Sequence, residues 1–233
     1  MKFIDEIVSY FKSNEGKEIC KDINSCSVSF SCTNESIKSI VGGMAINKTD
    51  SVLGILGSGD QGLAILGQGA KVTLVDYSEQ QLDYFNKIYN VLVNPKNSNK
   101  LCREVLKNRF GSSKKNKKYL LRKLGVIRKN MNQIKILEKA DMCNLNLGFS
   151  EFNKIYLSNI FDYRDCKNEK AVNKFIQFGE KFNPGTLFYS ASQIMGKNIN
   201  LTDLEKLFYL DSSLTKIAKS YEVTWDPEVI IRK

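Results

Sequence analysis

"GILGSGDQGLAILGQGAKVTLVDYS", residues 54–78, is the stretch whose reading decides the fold. An apolar run, "SVLGIL" over 51–56, leads into it, and glycines follow at Gly57, Gly59 and Gly62 in a G-x-G-x-x-G pattern. A second apolar run, "KVTLVD" over 71–76, ends in an acid, Asp76. Strand, glycine turn, helix, strand and an acid about 20 residues after the first glycine form the fingerprint of a βαβ unit that holds an adenosine ribose. Glycines let the backbone come close to the ligand, and the acid accepts bonds from ribose hydroxyls. A tight βα turn without ligand is the plainer reading of the same residues.

Outward from this stretch the same rhythm continues. Ser78 can cap a helix that carries Leu82, Phe85, Ile88, Tyr89 and Leu92 on one face, and Pro95 closes it. Strands are predicted at "QIKILEKAD" (133–141), "FNKIYLSNIFD" with its terminal loop (152–162) and "GTLFYSAS" (185–192), and helices at about 169–182 and 201–208. The last 13 residues, "YEVTWDPEVIIRK", read as terminal strand structure. Upstream, residues 3–24 read as one or two helices, 27–35 as a short extended piece and 36–44 as a short helix stopped by Gly42 and Gly43. The expectation is an α/β fold: a doubly wound, mostly parallel, Rossmann-like sheet in one domain over 1–233. It carries an N-terminal helical cap (1–49) and a basic helical insertion (94–132). No internal repeat is present.

Composition narrows the chemistry. The chain has six cysteines, none in a C-x-x-C pair, and no histidine. Zinc sites and thiol–imidazole catalysis lean on histidine, so no metal site and no histidine base is expected. A C-x-x-x-C-x-x-C iron–sulfur signature is also missing. The N-terminus has no apolar core with a small-residue cleavage site, and no run approaches the roughly 18 apolar residues of a membrane span, so the expected location is the cytoplasm.

The net charge of +10 is concentrated. Between Asn97 and Lys135 stand 13 Lys and Arg residues and one acid, Glu104, which leaves 22 basic and 24 acidic residues elsewhere. The segment has three readings. It is a solvated helical face, or a lid over the substrate that recognises an anionic small-molecule acceptor, or a patch for nucleic acid or an anionic membrane surface. Tyr119, Leu120, Leu121, Leu124 and Ile127 among the lysines give it an apolar side that can pack on the main domain or lie on a membrane. Only Phe110 and Tyr119 could stack on bases, which weakens a single-strand reading.

Both NAD and S-adenosylmethionine (SAM) fit the glycine turn, so hydride transfer and alkyl transfer both start as candidates. Two later stretches separate them. "EKADMCNL" (138–145) puts Asp141 and Met142 just past the third strand, and "FNKIYLSNIFDY" (152–163) is an apolar strand ending in Ser158 and Asn159 and then aromatics. An acid after strand two, an acid after strand three and a polar–aromatic loop after strand four resembles the class I SAM-dependent methyltransferase pattern. "GSGDQ", "GAKVTLVDYSEQQLDYF" and "YLSNIFDY" are together similar to bacterial SAM-binding proteins related to the betaine-lipid-synthase family. Type members of that family transfer the 3-amino-3-carboxypropyl group of SAM rather than its methyl group. The match covers about 50–92 and 134–163. It implies SAM as cofactor, with contacts at Gly57, Ser58, Gly59, Asp60, Asp76 and Asp141; Tyr77, Met142, Ser158 and Asn159 beside them are further candidate cofactor-binding residues. One departure stands out. The methyltransferase turn usually has an acid two residues before its first glycine, and this chain has Ile55. Asp60 or Gln61 could then meet the methionine tail, and a displaced tail favours aminocarboxypropyl transfer; ordinary methyl transfer is the alternative. A non-catalytic SAM-binding or interaction protein is the rival from another class.

Either transfer is an in-line attack on a carbon beside a sulfonium, so the protein mainly positions two reactants and excludes water. A base is needed only for a protonated acceptor. Without histidine, the candidates near the expected strand ends are Asp162, Tyr163 and Tyr189. Their plainer roles are a helix cap or surface acid for Asp162 and rim or core positions for the tyrosines.

Overall fold

The computed structural model describes residues 17–108, 113–145, 148–162, 169–195 and 202–233. Its centre is one seven-stranded sheet in the order β3-β2-β1-β4-β5-β7-β6. The strands are β1 (Ser51–Ile55), β2 (Lys71–Asp76), β3 (Ile134–Glu138), β4 (Lys154–Ser158), β5 (Leu187–Ser190), β6 (Phe208–Leu210) and β7 (Glu228–Arg232). The first five run parallel, and β7 runs antiparallel to both β5 and β6. The chain builds leftward from β1 to β2 and β3, then returns to lay β4 and β5 on the other side of β1. The point between β1 and β4 is therefore where the winding reverses, and ligands bind beyond the strand ends at such a point.

The central strands are buried on both faces, which is why "SVLGI" and "KIYLS" read as apolar runs rather than alternations. One face carries α1 (Ile37–Gly43), α2 (Asp60–Leu66), α3 (Glu79–Val93), α4 (Asn99–Asn108), α5 (Lys114–Lys129) and α8 (Ser212–Tyr221). Serines at 36, 78 and 113 start three of these helices, each accepting a bond from the backbone N–H three residues on. The opposite face packs α6 (Glu169–Gly179) and α7 (Thr202–Leu207) over a core rich in phenylalanine, where Phe175, Phe178, Phe182, Phe188 and Phe208 meet mostly edge to face.

Two glycines of the opening stretch are fixed by packing. A Cβ on Gly59 would lie 2.0 Å from the Phe85 ring, and Gly59 has φ +78°. A Cβ on Gly62 would lie 2.6 Å from Leu74, so α2 reaches β2 only without a side chain there.

The expected strands and helices stand close to their predicted places, with two differences. The end of the chain is not all strand: α8 runs to Tyr221, and only Glu228–Arg232 is extended there. The three-residue β6 and α8 lack a long apolar alternation, so the sequence reading passed over them. The N-terminal expectation falls partly outside the described residues; within them, 17–24 are helical. The basic segment is helical on either side of 109–112, which lie outside the described residues. It packs along the face through Leu120, Leu124 and Ile127, against α2, and Tyr119 accepts a bond from Gln68. No helix among the described residues is long and apolar enough to cross a membrane.

Candidate active-site cleft

A cleft of about 870 Å³ opens where the winding reverses. It is bounded by the ends of β1 to β4 and, from above, by residues 29–35.

On the β2 side, Asp76 does local work. One carboxylate oxygen accepts the Gly57 N–H at 3.2 Å and the other the Ser78 N–H at 3.0 Å, so the acid ties the glycine turn to the start of α3. Burial pushes its carboxyl above the ordinary value, and the N–H groups of Ser78, Gly57 and Tyr77 pull it back. Tyr77 beside it is 79% exposed at the cleft mouth. Asp141 caps a short turn, Met142–Asn144, accepting from the Cys143 N–H at 3.0 Å and the Asn144 amide at 2.7 Å. Met142 is buried against the cleft.

The turn itself divides. Gly57, Ser58 and Gln61 line the cleft. The Gln61 amide donates to the carbonyls of Leu56 (2.9 Å) and Ile55 (3.3 Å), which stiffens the end of β1. Gly59 and Asp60, expected as ligand contacts, do not line it. Gly59 is spent on Phe85, and Asp60 is fully buried, where it accepts the Thr33 N–H at 3.1 Å and anchors residues 29–35.

On the β4 side, Tyr156, Ser158 and Asn159 line the cleft. Ser158 has φ +53°, a left-handed conformation uncommon for serine, at a break in the β4–β5 register. Of the expected bases, Tyr163 and the Asp162 side chain lie outside the described residues. Tyr189 is in the core: it is 0% exposed, stacks on Tyr156 and shares a 2.8 Å hydrogen bond with Ser39. Burial raises its pKa well above the ordinary tyrosine value, so it is a packing residue and no base.

The residue that the sequence did not announce is Glu35. It is 2% exposed, lines the cleft, and comes from the polar piece 27–35, which the sequence suggests only as a short extended piece. Tyr156 donates to its Oε1 at 2.7 Å, and so does Ser158. Burial pushes the carboxyl up to about 7, against these two hydroxyls, with Glu222 nearby adding to the rise. The faint signal was a lone acid, flanked by helix-capping Ser36, in a stretch with no amphipathic pattern of its own.

The basic segment contributes nothing to the cleft lining, so the described part of it is not a lid. Arg103, Lys114, Lys117, Lys118 and Arg122 instead surround a separate shallow depression of about 420 Å³ on α4 and α5.

No family model and no curated protein sequence matches the chain. Solved structures do. The CcbJ methyltransferase from Streptomyces caelestis is 14% identical, with a TM-score of 0.43 over 66% of this chain and 47% of that one. The glycopeptide N-methyltransferase MtfA complexed with sinefungin is 15% identical, with a TM-score of 0.41 and the same coverage. Coclaurine N-methyltransferase bound to N-methylheliamine and SAH is 12% identical, with a TM-score of 0.43 over 72% of this chain and 42% of that one. The chain spans just under half the length of these proteins. Its own strand order, with β7 inserted antiparallel between β5 and β6, is a doubly wound, Rossmann-like arrangement.

Proposed function

We propose that the protein is a SAM-dependent transferase that moves an alkyl group from the sulfonium to a nucleophile on a small acceptor. The observation that carries the reading is that three acids from three separate elements, Glu35, Asp76 and Asp141, line one cleft at the reversal point. SAM is cationic at its sulfonium and its ammonium, whereas the pyrophosphate of NAD is anionic. The helix that would receive a pyrophosphate begins with buried Asp60 and is only seven residues long, which speaks against NAD.

The residues present fit such a ligand. The cleft volume lies within the range for small-molecule sites. Asp76 would hold the ribose hydroxyls, Met142 and Tyr77 would flank the base, and the Gly57–Ser58 backbone would let the ligand approach. When bound, SAM supplies both the transferred carbon and its own leaving group. The chain's part is to orient, to shed water and to keep the acceptor beside Ser158 and Asn159.

Methyl transfer is the reading we retain. Aminocarboxypropyl transfer was favoured by the missing acid at position 55, and Glu35 supplies a carboxylate to the same cleft from another element, which removes that reason. The test is a thermal-shift comparison of SAM, S-adenosylhomocysteine and NADH, followed by mass spectrometry of the nucleoside released in turnover. A shift with SAM and release of S-adenosylhomocysteine is expected. Release of methylthioadenosine would restore aminocarboxypropyl transfer, and a shift with NADH alone would overturn the assignment.

A further inference from the structure

Asp76 and Asp141 each have both carboxylate oxygens engaged by nearby N–H groups. Glu35 does not. Its Oε1 accepts two hydroxyls, while its Oε2 is buried and meets no hydrogen-bond donor among the described residues. The charged and titratable groups that bear on it are Tyr156 from β4, Tyr189 from β5 and Glu222 after α8, and Lys174 and Lys181 line the same cleft without hydrogen-bonding its carboxylate.

The side chain is also held for a purpose other than filling space. The Glu35 backbone N–H donates to Thr33 Oγ1 at 3.2 Å, and its carbonyl accepts the Asn116 amide at 2.8 Å. Next to it, Ser36 N–H donates to Glu222 at 2.8 Å and Ile37 N–H to Asn116 at 3.2 Å. Three elements distant in sequence, β4, α5 and the segment after α8, thus hold Glu35 and the backbone beside it. A buried carboxylate oxygen left without a donor is costly, by about 1–3 kcal/mol or more for a charged group, unless a ligand supplies that donor. The donor must be cationic to offset burial of the charge.

The position selects which cation. Glu35 is bonded to β4, across the reversal point from Asp76 on β2. A ligand whose ribose lies at Asp76 reaches toward β4 with its other end. At the end of β1, between them, stands Ile55, which lines the cleft and offers no charge. We propose that Glu35 Oε2 binds the α-ammonium of the cofactor's amino-acid tail, making Glu35 the tail-recognising residue of this site. This rests on the SAM reading above and deepens it.

The test needs no acceptor. S-Adenosylhomocysteine carries the tail; 5′-methylthioadenosine has the same nucleoside and no amino acid. Calorimetric affinities for both are compared in the wild type and Glu35→Gln, which keeps the shape and removes the charge. The expected result is a loss of about 10- to 150-fold for S-adenosylhomocysteine, the range for a hydrogen bond to a charged group, with methylthioadenosine changed by less than about twofold. In the wild type, affinity for S-adenosylhomocysteine should rise with pH as the carboxyl ionises around 7, while Glu35→Gln stays flat. Tyr156→Phe removes one hydroxyl that favours the ionised form, so it should move that rise to higher pH. Retained methylthioadenosine binding certifies that each variant is folded.

Undiminished affinity for S-adenosylhomocysteine in Glu35→Gln would overturn the assignment, and would leave an acceptor ammonium as the group that Glu35 faces. An equal loss for both ligands would also overturn it, because that is the mark of a merely structural residue. If the wild type binds neither ligand, the SAM reading itself falls, and this assignment with it.

Discussion

On the β2 side of the cleft, the candidate ribose-binding acid is placed by neighbours in sequence. Asp76 bonds Gly57 and Ser78, 19 and 2 residues away. On the β4 side, Glu35 is placed by Tyr156 and Ser158, 121 and 123 residues away, and by Asn116, 81 residues away. The first half is a local motif, stiff because backbone and side chain satisfy each other over one turn. The second half exists only because the sheet is complete. The two halves should therefore fail in different ways.

The largest effect should come from breaking the local half at its packing point. Gly59→Ala puts a Cβ about 2.0 Å from the Phe85 ring at φ +78°. Overpacking and a left-handed alanine together should lower stability by about 3 kcal/mol, a fall of roughly 10 °C in melting temperature followed by circular dichroism. An unchanged melting temperature would mean that Phe85 moves freely and the turn is not locked to α3.

Next comes the long-range half, through pH. The folded-state pKa of Glu35, about 7, lies above the ordinary glutamate value of 4.5. Between these values the folded chain keeps a proton that the unfolded chain has released. The contribution is therefore fully present below about pH 4.5 and is lost as pH rises through about 7. Glu35→Gln has no such proton, so it should gain on the wild type by about 3 kcal/mol between pH 5 and pH 9. Parallel denaturant midpoints across that range would show that Glu35 ionises normally.

Asp76→Ala should cost about 1.5–3 kcal/mol in affinity. In contrast to Glu35→Gln, it should weaken S-adenosylhomocysteine and methylthioadenosine alike, since both carry the ribose. A loss confined to the tail-bearing ligand would exchange the roles of the two halves.

The smallest effect is expected away from both. Changing Lys114, Lys117 and Lys118 to Glu should leave affinity for S-adenosylhomocysteine within about 0.5 kcal/mol, since none of them lines the cleft. It should even stabilise α5 slightly, because acids suit the first turn of a helix. A tenfold loss of affinity would bring the basic segment into the site.

The same contrast explains what the sequence disclosed. The glycines, Asp76 and the apolar runs carry their structure in short spacings, so the βαβ unit and the parallel sheet could be read directly. Ser158 and Asn159 were visible because they end an apolar run. Gly59 and Asp60 were read as ligand contacts because a motif marks positions and says nothing of which side each residue faces; Phe85 and Thr33 decide that. Tyr189 sits in an apolar run, and only the neighbouring Tyr156 and Ser39 reveal that its hydroxyl turns inward. Glu35 lies in a stretch with no periodicity, and its meaning comes entirely from partners at the far side of β1.

The separation between Glu35 and its partners also bears on how the chain acquires its properties in time. Closing a loop of about 121 residues rather than one of about 19 costs roughly 1.6 kcal/mol more in chain entropy. Long-range pairings of this kind are late events in folding. The proposed ribose contact, Asp76 with the glycine turn, is assembled over a single βαβ unit and can exist before β4 docks against β1; the proposed tail contact cannot. A refolding population should recover affinity for methylthioadenosine first and discrimination in favour of S-adenosylhomocysteine later, so that ligand selectivity becomes a clock for the closing of the sheet.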